Sequence, residues 1–197
     1  AIPAARLWRC RENRKFIYDE RELTSRDMEN LSYILTLRNA LMPEHRNMPL
    51  FQNGSAIIVL NEREESLMQK RADRDQWGLP GGLQELGETF EEVAVRELKE
   101  ETGLQTSIQD LQLVGIVSGM SRKNEYPNGD IVYNNTVLFK TRRYSGVLST
   151  DYQELVDTGK EFVQRLETLE LRFFALDAVP SNNMDDDLVN FYKKSMV

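Results

Sequence analysis

The sequence predicts one α/β or α+β domain in which strands outnumber helices and gather round a single glutamate-rich helix, with a helical extension ahead of it. Three observations predict this. The chain's 197 residues suffice for one substantial core and fall short of two ordinary domains. Short β-rich runs separated by turn signals recur from residue 54 to residue 175. Among them lies one long stretch with helical periodicity, starting near Thr89 and closed by Gly103, a residue that tolerates the left-handed conformation of a helix end.

Composition narrows the function classes. Hydrophobic residues make up 40% and charged residues 29%, as in a soluble globular protein, and no apolar run approaches the length of a membrane span. No basic region precedes a long apolar segment, so no signal peptide is expected. The net charge of −7 argues against binding polymeric nucleic acid, which calls for a basic surface. It leaves room for a small nucleotide, whose phosphates can be met by metal and a few local cations. Cys10, the one cysteine, permits no internal disulfide and suits a reducing cytoplasm. His45 is the one histidine, so a His-rich zinc site and a His-containing catalytic triad are poorly supported. Metal chemistry here rests on oxygen ligands. That favours Mg2+ or Mn2+, with Ca2+ as a geometric competitor.

Taken in order, residues 1–24 are mixed and charged and yield only a short strand at 15–18. Residues 27–41 carry Met28, Leu31, Ile34 and Leu35 at helical spacing behind Ser25 or Asp27 as cap. This amphipathic helix would pack on the domain, or pair two copies as a homodimer. Residues 1–48 are therefore set apart as an extension and 49–197 as the domain. Residues 54–60 read as a buried strand, 61–65 as a turn and 66–71 as the returning strand. Residues 74–80 form a loop into the pair Gly81-Gly82, and Trp77 within it is expected to pack rather than stack on a substrate. Beyond the helix, 111–120 and 131–141 are β-rich, joined by a polar loop whose Tyr126-Pro127-Asn128-Gly129 signals a turn. Residues 151–166 are charged, with apolar positions at Leu155, Val163 and Leu166, and read as partly helical. A strand at 169–175 and a terminal helix at 188–196, after the break at Pro180, complete the chain.

The central helix carries the chemistry. Glu88, Glu91, Glu92, Glu97, Glu100 and Glu101 crowd into about four turns, an arrangement in which like charges repel unless something positive sits among them. Glu97 and Glu101 lie one turn apart on a common face, with Glu100 as near neighbour. Arg96 stands four residues from both Glu92 and Glu100, placed to neutralise part of the cluster. Val93, Ala94 and Leu98 anchor the helix to a sheet. Carboxylates converging on a divalent cation are a device for phosphate chemistry, because the cation polarises a phosphoryl oxygen and activates water. A carboxylate not used as a ligand can serve as general base. Gly81 and Gly82, lacking Cβ, let backbone groups approach the same metal or phosphate.

The spacing from Gly82 through Glu88, Arg96-Glu97-Leu98 and Glu100-Glu101 to Gly103-Leu104 resembles the Nudix box, with every defined position filled. More loosely, the resemblance runs from about Pro49 to Tyr192. It implies an α/β/α sandwich with a mixed sheet and hydrolysis of a phosphoanhydride in a nucleoside diphosphate-linked substrate, water attacking phosphorus. By motif position, Glu97, Glu100 and Glu101 would be the catalytic metal ligands, Glu97 also a base, and Gly81 would lend a backbone carbonyl. Arg96, Glu88 and Gly82 would support them. A further carboxylate outside the box would come from Glu154, Glu161, Glu167 or Glu170, which the sequence does not rank. For the substrate, Lys70, Arg71 and Arg74 could meet phosphates, and Trp77, Tyr126 or Tyr133 could stack on a base, although solvation and packing are the commoner uses of such residues. The competing expectation is a non-catalytic Nudix module that senses a nucleotide or binds a partner.

Overall fold

A computed structural model describes residues 17–18, 21–22, 48–73, 75–125, 131–157 and 162–196. Its strands, in chain order, are β1 (Ile17–Tyr18), β2 (Arg21–Glu22), β3 (Leu50–Val59), β4 (Glu65–Arg71), β5 (Trp77–Gly78), β6 (Gly81–Leu83), β7 (Leu104–Gln105), β8 (Gln112–Val117), β9 (Lys123–Glu125), β10 (Ile131–Thr141), β11 (Ser145–Gly146), β12 (Gln153–Asp157), β13 (Phe162–Leu166) and β14 (Thr168–Ala175). The helices are α1 (Phe90–Thr102) and α2 (Asp186–Ser195).

The run Ala56-Ile57-Ile58-Val59 is apolar without alternation, as a strand covered on both faces must be. It forms the inner half of β3, which pairs in parallel with β10 from Leu50 opposite Val132 to Val59 opposite Thr141. β6 closes the free edge of β3, and β8 and β9 pair antiparallel with β10, giving a mixed sheet in the order β6-β3-β10-β8. A second, antiparallel sheet runs β14-β4-β5. On one face of the mixed sheet, Ile57, Val59, Val137 and Phe139 pack against Ala94 and Leu98 of α1. On the other, Ala56, Ile58 and Leu138 pack against Leu188, Val189 and Tyr192 of α2. Each large apolar side chain buried this way stabilises the fold by about 1.5–3 kcal/mol. The outcome is the expected α/β/α sandwich.

Several boundaries differ from expectation. β3 begins at Leu50 rather than residue 54, because the parallel ladder with β10 holds all ten residues. The loop 74–80 contains β5, paired to β4 at Trp77 and Gly78. The expected strand 111–120 ends at Val117, and Met120–Arg122 is a 3-10 turn. The partly helical reading of 151–166 is overturned: β12 and β13 form an antiparallel hairpin in which Val156 faces Val163. The helix at 27–41, with Cys10 and His45, lies outside the described residues. Among the described residues no helix is long and apolar enough to cross a membrane.

Candidate active site

Two caps fix the register of α1. Thr89 accepts the Glu92 N–H (3.2 Å) while the Glu92 carboxylate accepts the Thr89 N–H (2.7 Å), a reciprocal capping box. Gly103 ends the helix at φ 76°, its N–H bonded to the Lys99 carbonyl. Ser55 Oγ on β3 donates to the Phe90 carbonyl and ties the first turn to the sheet (2.7 Å). With that register, Ala94, Leu98 and Glu101 form one buried stripe, so a glutamate stands where the pattern calls for an apolar residue. Glu101 is 0% exposed.

The Glu101 side chain is held from two sides. Its Oε2 accepts the Gly81 N–H from edge strand β6 (2.7 Å). Its Oε1 makes no hydrogen bond, and Arg71 Nη1 lies 3.5 Å away. That guanidinium also donates to Glu167 (2.9 Å) and, through Nε, to Asp73 (2.9 Å). Thr168 Oγ1, next to Glu167, donates to Gln69 and lies 3.2 Å from the Glu101 carbonyl. The β14–β4 pairing places Thr168 opposite Arg71, and so delivers Glu167 to the helix.

Arg96 organises the outer side. Its Nε and Nη2 grip both oxygens of Glu88 (2.7 and 3.0 Å), and Nη2 also reaches the Leu83 carbonyl (3.0 Å). Its Nη1 donates to Glu97 (2.7 Å) and Glu100 (3.2 Å). Glu88 in turn accepts the Glu85 N–H, which closes the turn ahead of the helix (3.0 Å). A side chain at Gly82 would run into the Glu97 carboxylate that Arg96 holds. Gly82→Ala is therefore expected to push the Glu97 carboxylate off Arg96 at little cost in a thermal or urea melt, because only the far end of a flexible side chain must move.

Among the described residues, no three acidic side chains close on a single point at ligating distance. The guanidinium groups explain this, since Arg96 holds Glu97 and Glu100 while Arg71 lies against Glu101 and Glu167. The donor set nonetheless fits a hard divalent cation, and the test is the charge balance. Burial pushes the Glu97 carboxyl up to about 7 against the pull of Arg96, with Glu167 and Glu100 adding to the rise. Burial, then Glu97 and Glu167, hold Glu101 well above the ordinary carboxylate range, against the pull of Gln69 and Arg71. Buried acids raised by burial and by one another, one oxygen of them without a hydrogen bond, mark a shortage of positive charge. All the donors are oxygens, the chemistry that suits Mg2+ or Mn2+.

Of the residues singled out from sequence, Glu97, Glu100, Glu101, Gly81, Gly82, Arg96, Glu88 and Arg71 are brought together. Trp77 is not. It is buried edge-on against Phe174, centroids 4.9 Å apart, which leaves no face for a substrate to stack on. Tyr133 packs against Phe51 on the mixed sheet. Lys70 pairs with Asp75 (2.7 Å) and Glu170 with Arg172. Arg74, Tyr126, Glu161 and the Glu154 side chain lie outside the described residues. Sequence reasoning missed Gln69, Thr168 and Tyr152. The Tyr152 phenol is pushed up to about 12 by burial and by Glu100, Glu167 and Glu97, which places it beside the cluster.

A family model for the NUDIX domain matches residues 50–195. The chain belongs to this family. A MutT-like protein of Streptomyces ambofaciens is 40% identical over 34% of this chain and 44% of its own length. An ADP-ribose pyrophosphatase of Methanocaldococcus jannaschii is 38% identical over 38% and 43%. The chain spans less than half the length of these relatives. Solved structures share the NUDIX fold at low identity. The MutT NUDIX hydrolase from Burkholderia pseudomallei has a TM-score of 0.52 at 20% identity, covering 72% of this chain and 95% of that one. The NUDIX domain of Shewanella oneidensis NrtR, crystallised with ADP ribose, has a TM-score of 0.51 at 15% identity, covering 85% and 100%.

Proposed function

We propose that residues 49–197 form a divalent-metal-dependent hydrolase that cleaves a phosphoanhydride bond in a nucleoside diphosphate-linked small molecule, with water attacking phosphorus. The observation that carries this reading is the buried, under-neutralised cluster of Glu97, Glu101 and Glu167 beside Gly81. Glu97, Glu100, Glu101 and Glu167 would hold Mg2+ or Mn2+, with the Gly81 backbone alongside. The bound cation would polarise a phosphoryl oxygen and screen the anionic substrate from the acidic helix. By motif position Glu97 would also serve as general base, in a state where it is not occupied as a metal ligand. Gly81 orients Glu101, and Arg96 and Glu88 brace the turn that leads into the helix. Arg71, already engaged by Glu101, Glu167 and Asp73, would offer a cation to an incoming phosphate.

A test is hydrolysis of a panel of nucleoside diphosphate derivatives with Mg2+ or Mn2+, comparing the wild type with Glu97→Gln. Release of nucleoside monophosphate by the wild type and its loss in the variant are expected. Ligand binding with no turnover at any metal concentration would instead identify a sensor.

The group attached to the diphosphate has a candidate location. Gln52 and Asn134 are opposed across β3 and β10, and both Gln52 amide atoms and Asn134 Oδ1 are buried without a hydrogen-bond partner. Such atoms cost free energy until something supplies the missing bonds. β6 is the edge strand beyond β3, and by alternation with Ala56 and Ile58 the Gln52 position lies on the α2 face of the sheet, opposite α1. A nucleoside that crossed the β6 edge onto that face would supply the missing bonds. Gln52→Leu is then expected to raise KM about tenfold, the loss of one to two hydrogen bonds, with kcat preserved and Tm kept or raised because unpartnered buried amide atoms are removed, in steady-state and melting assays.

A further inference from the structure

Asp185 immediately precedes α2, where a carboxylate usually caps the free N–H groups of the first turn, yet its side chain makes no capping bond. It points into the protein. Its Oδ2 accepts the Leu79 N–H (3.0 Å), 106 residues away in sequence, and its Oδ1 accepts from Arg122 Nη1 (3.0 Å). The Asp185 side chain is 8% exposed and that of Arg122 13%. Arg122 is itself held, through Nη1 by Asp187 (3.1 Å) and through Nη2 by Thr136 on β10 (3.2 Å). A side chain on Gly78 would come within 2.9 Å of Asp185 Oδ2, so the chain beside Leu79 is kept bare for this contact.

Leu79 stands two residues before Gly81. The segment between is fixed on its other side where the Pro80 carbonyl accepts the Ile57 N–H (2.9 Å). Upstream, the Trp77 carbonyl accepts the Met184 N–H (2.8 Å). Downstream comes the Gly81 N–H bond to Glu101. Asp185 is thus the side-chain fastening on a short path that delivers the Gly81 amide to the most deeply buried carboxylate of the site. An ion pair this buried gives little net stability over apolar residues of the same size, because desolvation offsets the Coulomb gain. Stability alone is a poor reason for it to stand here.

We infer that Arg122 and Asp185 are positioning residues for the hydrolytic site: Asp185 fixes Leu79 so that the Gly81 amide orients Glu101, and Arg122 fixes Asp185. The inference rests on the reading of Glu101 as a metal-holding carboxylate. Neither residue touches the reacting atoms, and the effect travels through backbone. Loss of an outer partner that orients a ligand typically weakens metal affinity about 10- to 100-fold.

The test compares Arg122→Ala and Arg122→Lys with the full chain and with Val189→Ala, a variant that loosens the apolar cluster shared by α2 and Leu79 but keeps the Asp185 and Arg122 side chains and their hydrogen bonds. Two readouts are taken well below each melting temperature: Mn2+ affinity by calorimetry, and hydrogen exchange of the Leu79 and Gly81 amides without metal. Arg122→Ala is expected to weaken Mn2+ binding at least tenfold and to speed exchange at both amides. Arg122→Lys should recover part of each, and Val189→Ala should change each by less than Arg122→Ala does. Equal affinity and equal exchange in Arg122→Ala and Val189→Ala would overturn the inference. Should the wild type bind no Mn2+ at all, the metal reading fails separately, and the exchange at Leu79 and Gly81 still decides whether Arg122 holds this path.

Discussion

Glu101→Gln is expected to lower kcat by about 100- to 1000-fold, the scale of losing about 3–4 kcal/mol of electrostatic stabilisation in the transition state. The same change should leave the metal-free protein about as stable as the wild type. Both expectations come from one geometry. Glu101 occupies a position in the buried stripe of α1 that an apolar residue would fill, and it keeps an oxygen with no hydrogen bond. In the absence of metal, burial and the neighbouring Glu97 and Glu167 make its ionised form costly, so a neutral amide of the same shape removes a liability. The amide oxygen can still accept the Gly81 N–H. Once a cation is bound the balance reverses, because an amide contributes no charge to hold it. Turnover on the substrate panel measures the first effect, and melting curves with and without Mn2+ measure the second. Full activity in Glu101→Gln would remove Glu101 from the chemistry, and a large fall in metal-free Tm would assign it a structural role instead.

The helix and its caps were legible in the sequence because they are local. Thr89, Glu92 and Gly103 act within a few residues, and the 3.6-residue period puts Glu97 and Glu101 on one side without reference to the rest of the fold. Glu167 was legible only as one of four candidates. What selects it is the β14–β4 register, which brings Glu167 to Arg71, 96 residues away, and nothing in the local pattern near residue 167 encodes that. The same reason hid Arg122 and Asp185, whose partners lie 63 and 106 residues away. Residues 151–166 misled the helical reading because their apolar positions are few and charged residues suit either state. The backbone pairing of β12 with β13 makes this segment a hairpin. Trp77 shows the opposite case, an aromatic beside the glycine pair that the fold spends on packing against Phe174.

The metal-free protein is expected to lose stability as the pH rises from about 4.5 to about 7, and a divalent cation is expected to reverse that slope. Glu97 titrates near 4.5 when unfolded and about 7 when folded, the rise being caused first by burial. Between those values the folded state holds a proton that the unfolded state has released. Stability therefore falls with increasing pH across this window, and the contribution is fully present only below it. Glu101, raised in the same direction, adds to the slope. A cation binds the deprotonated carboxylates and must displace those protons, so its affinity grows as pH rises through the same window. At a concentration about 100 times its Kd, a ligand bound only by the folded state contributes about 2.7 kcal/mol, which for a chain of this size corresponds to roughly 5–10 °C in Tm. Melting curves at pH 5, 6, 7 and 8 with EDTA or Mn2+ measure both trends. A metal-free Tm that climbs steadily from pH 5 to 7 would mean that the acids are already neutralised within the protein, by Arg71 and Arg96, and the site would then have no unmet demand for positive charge.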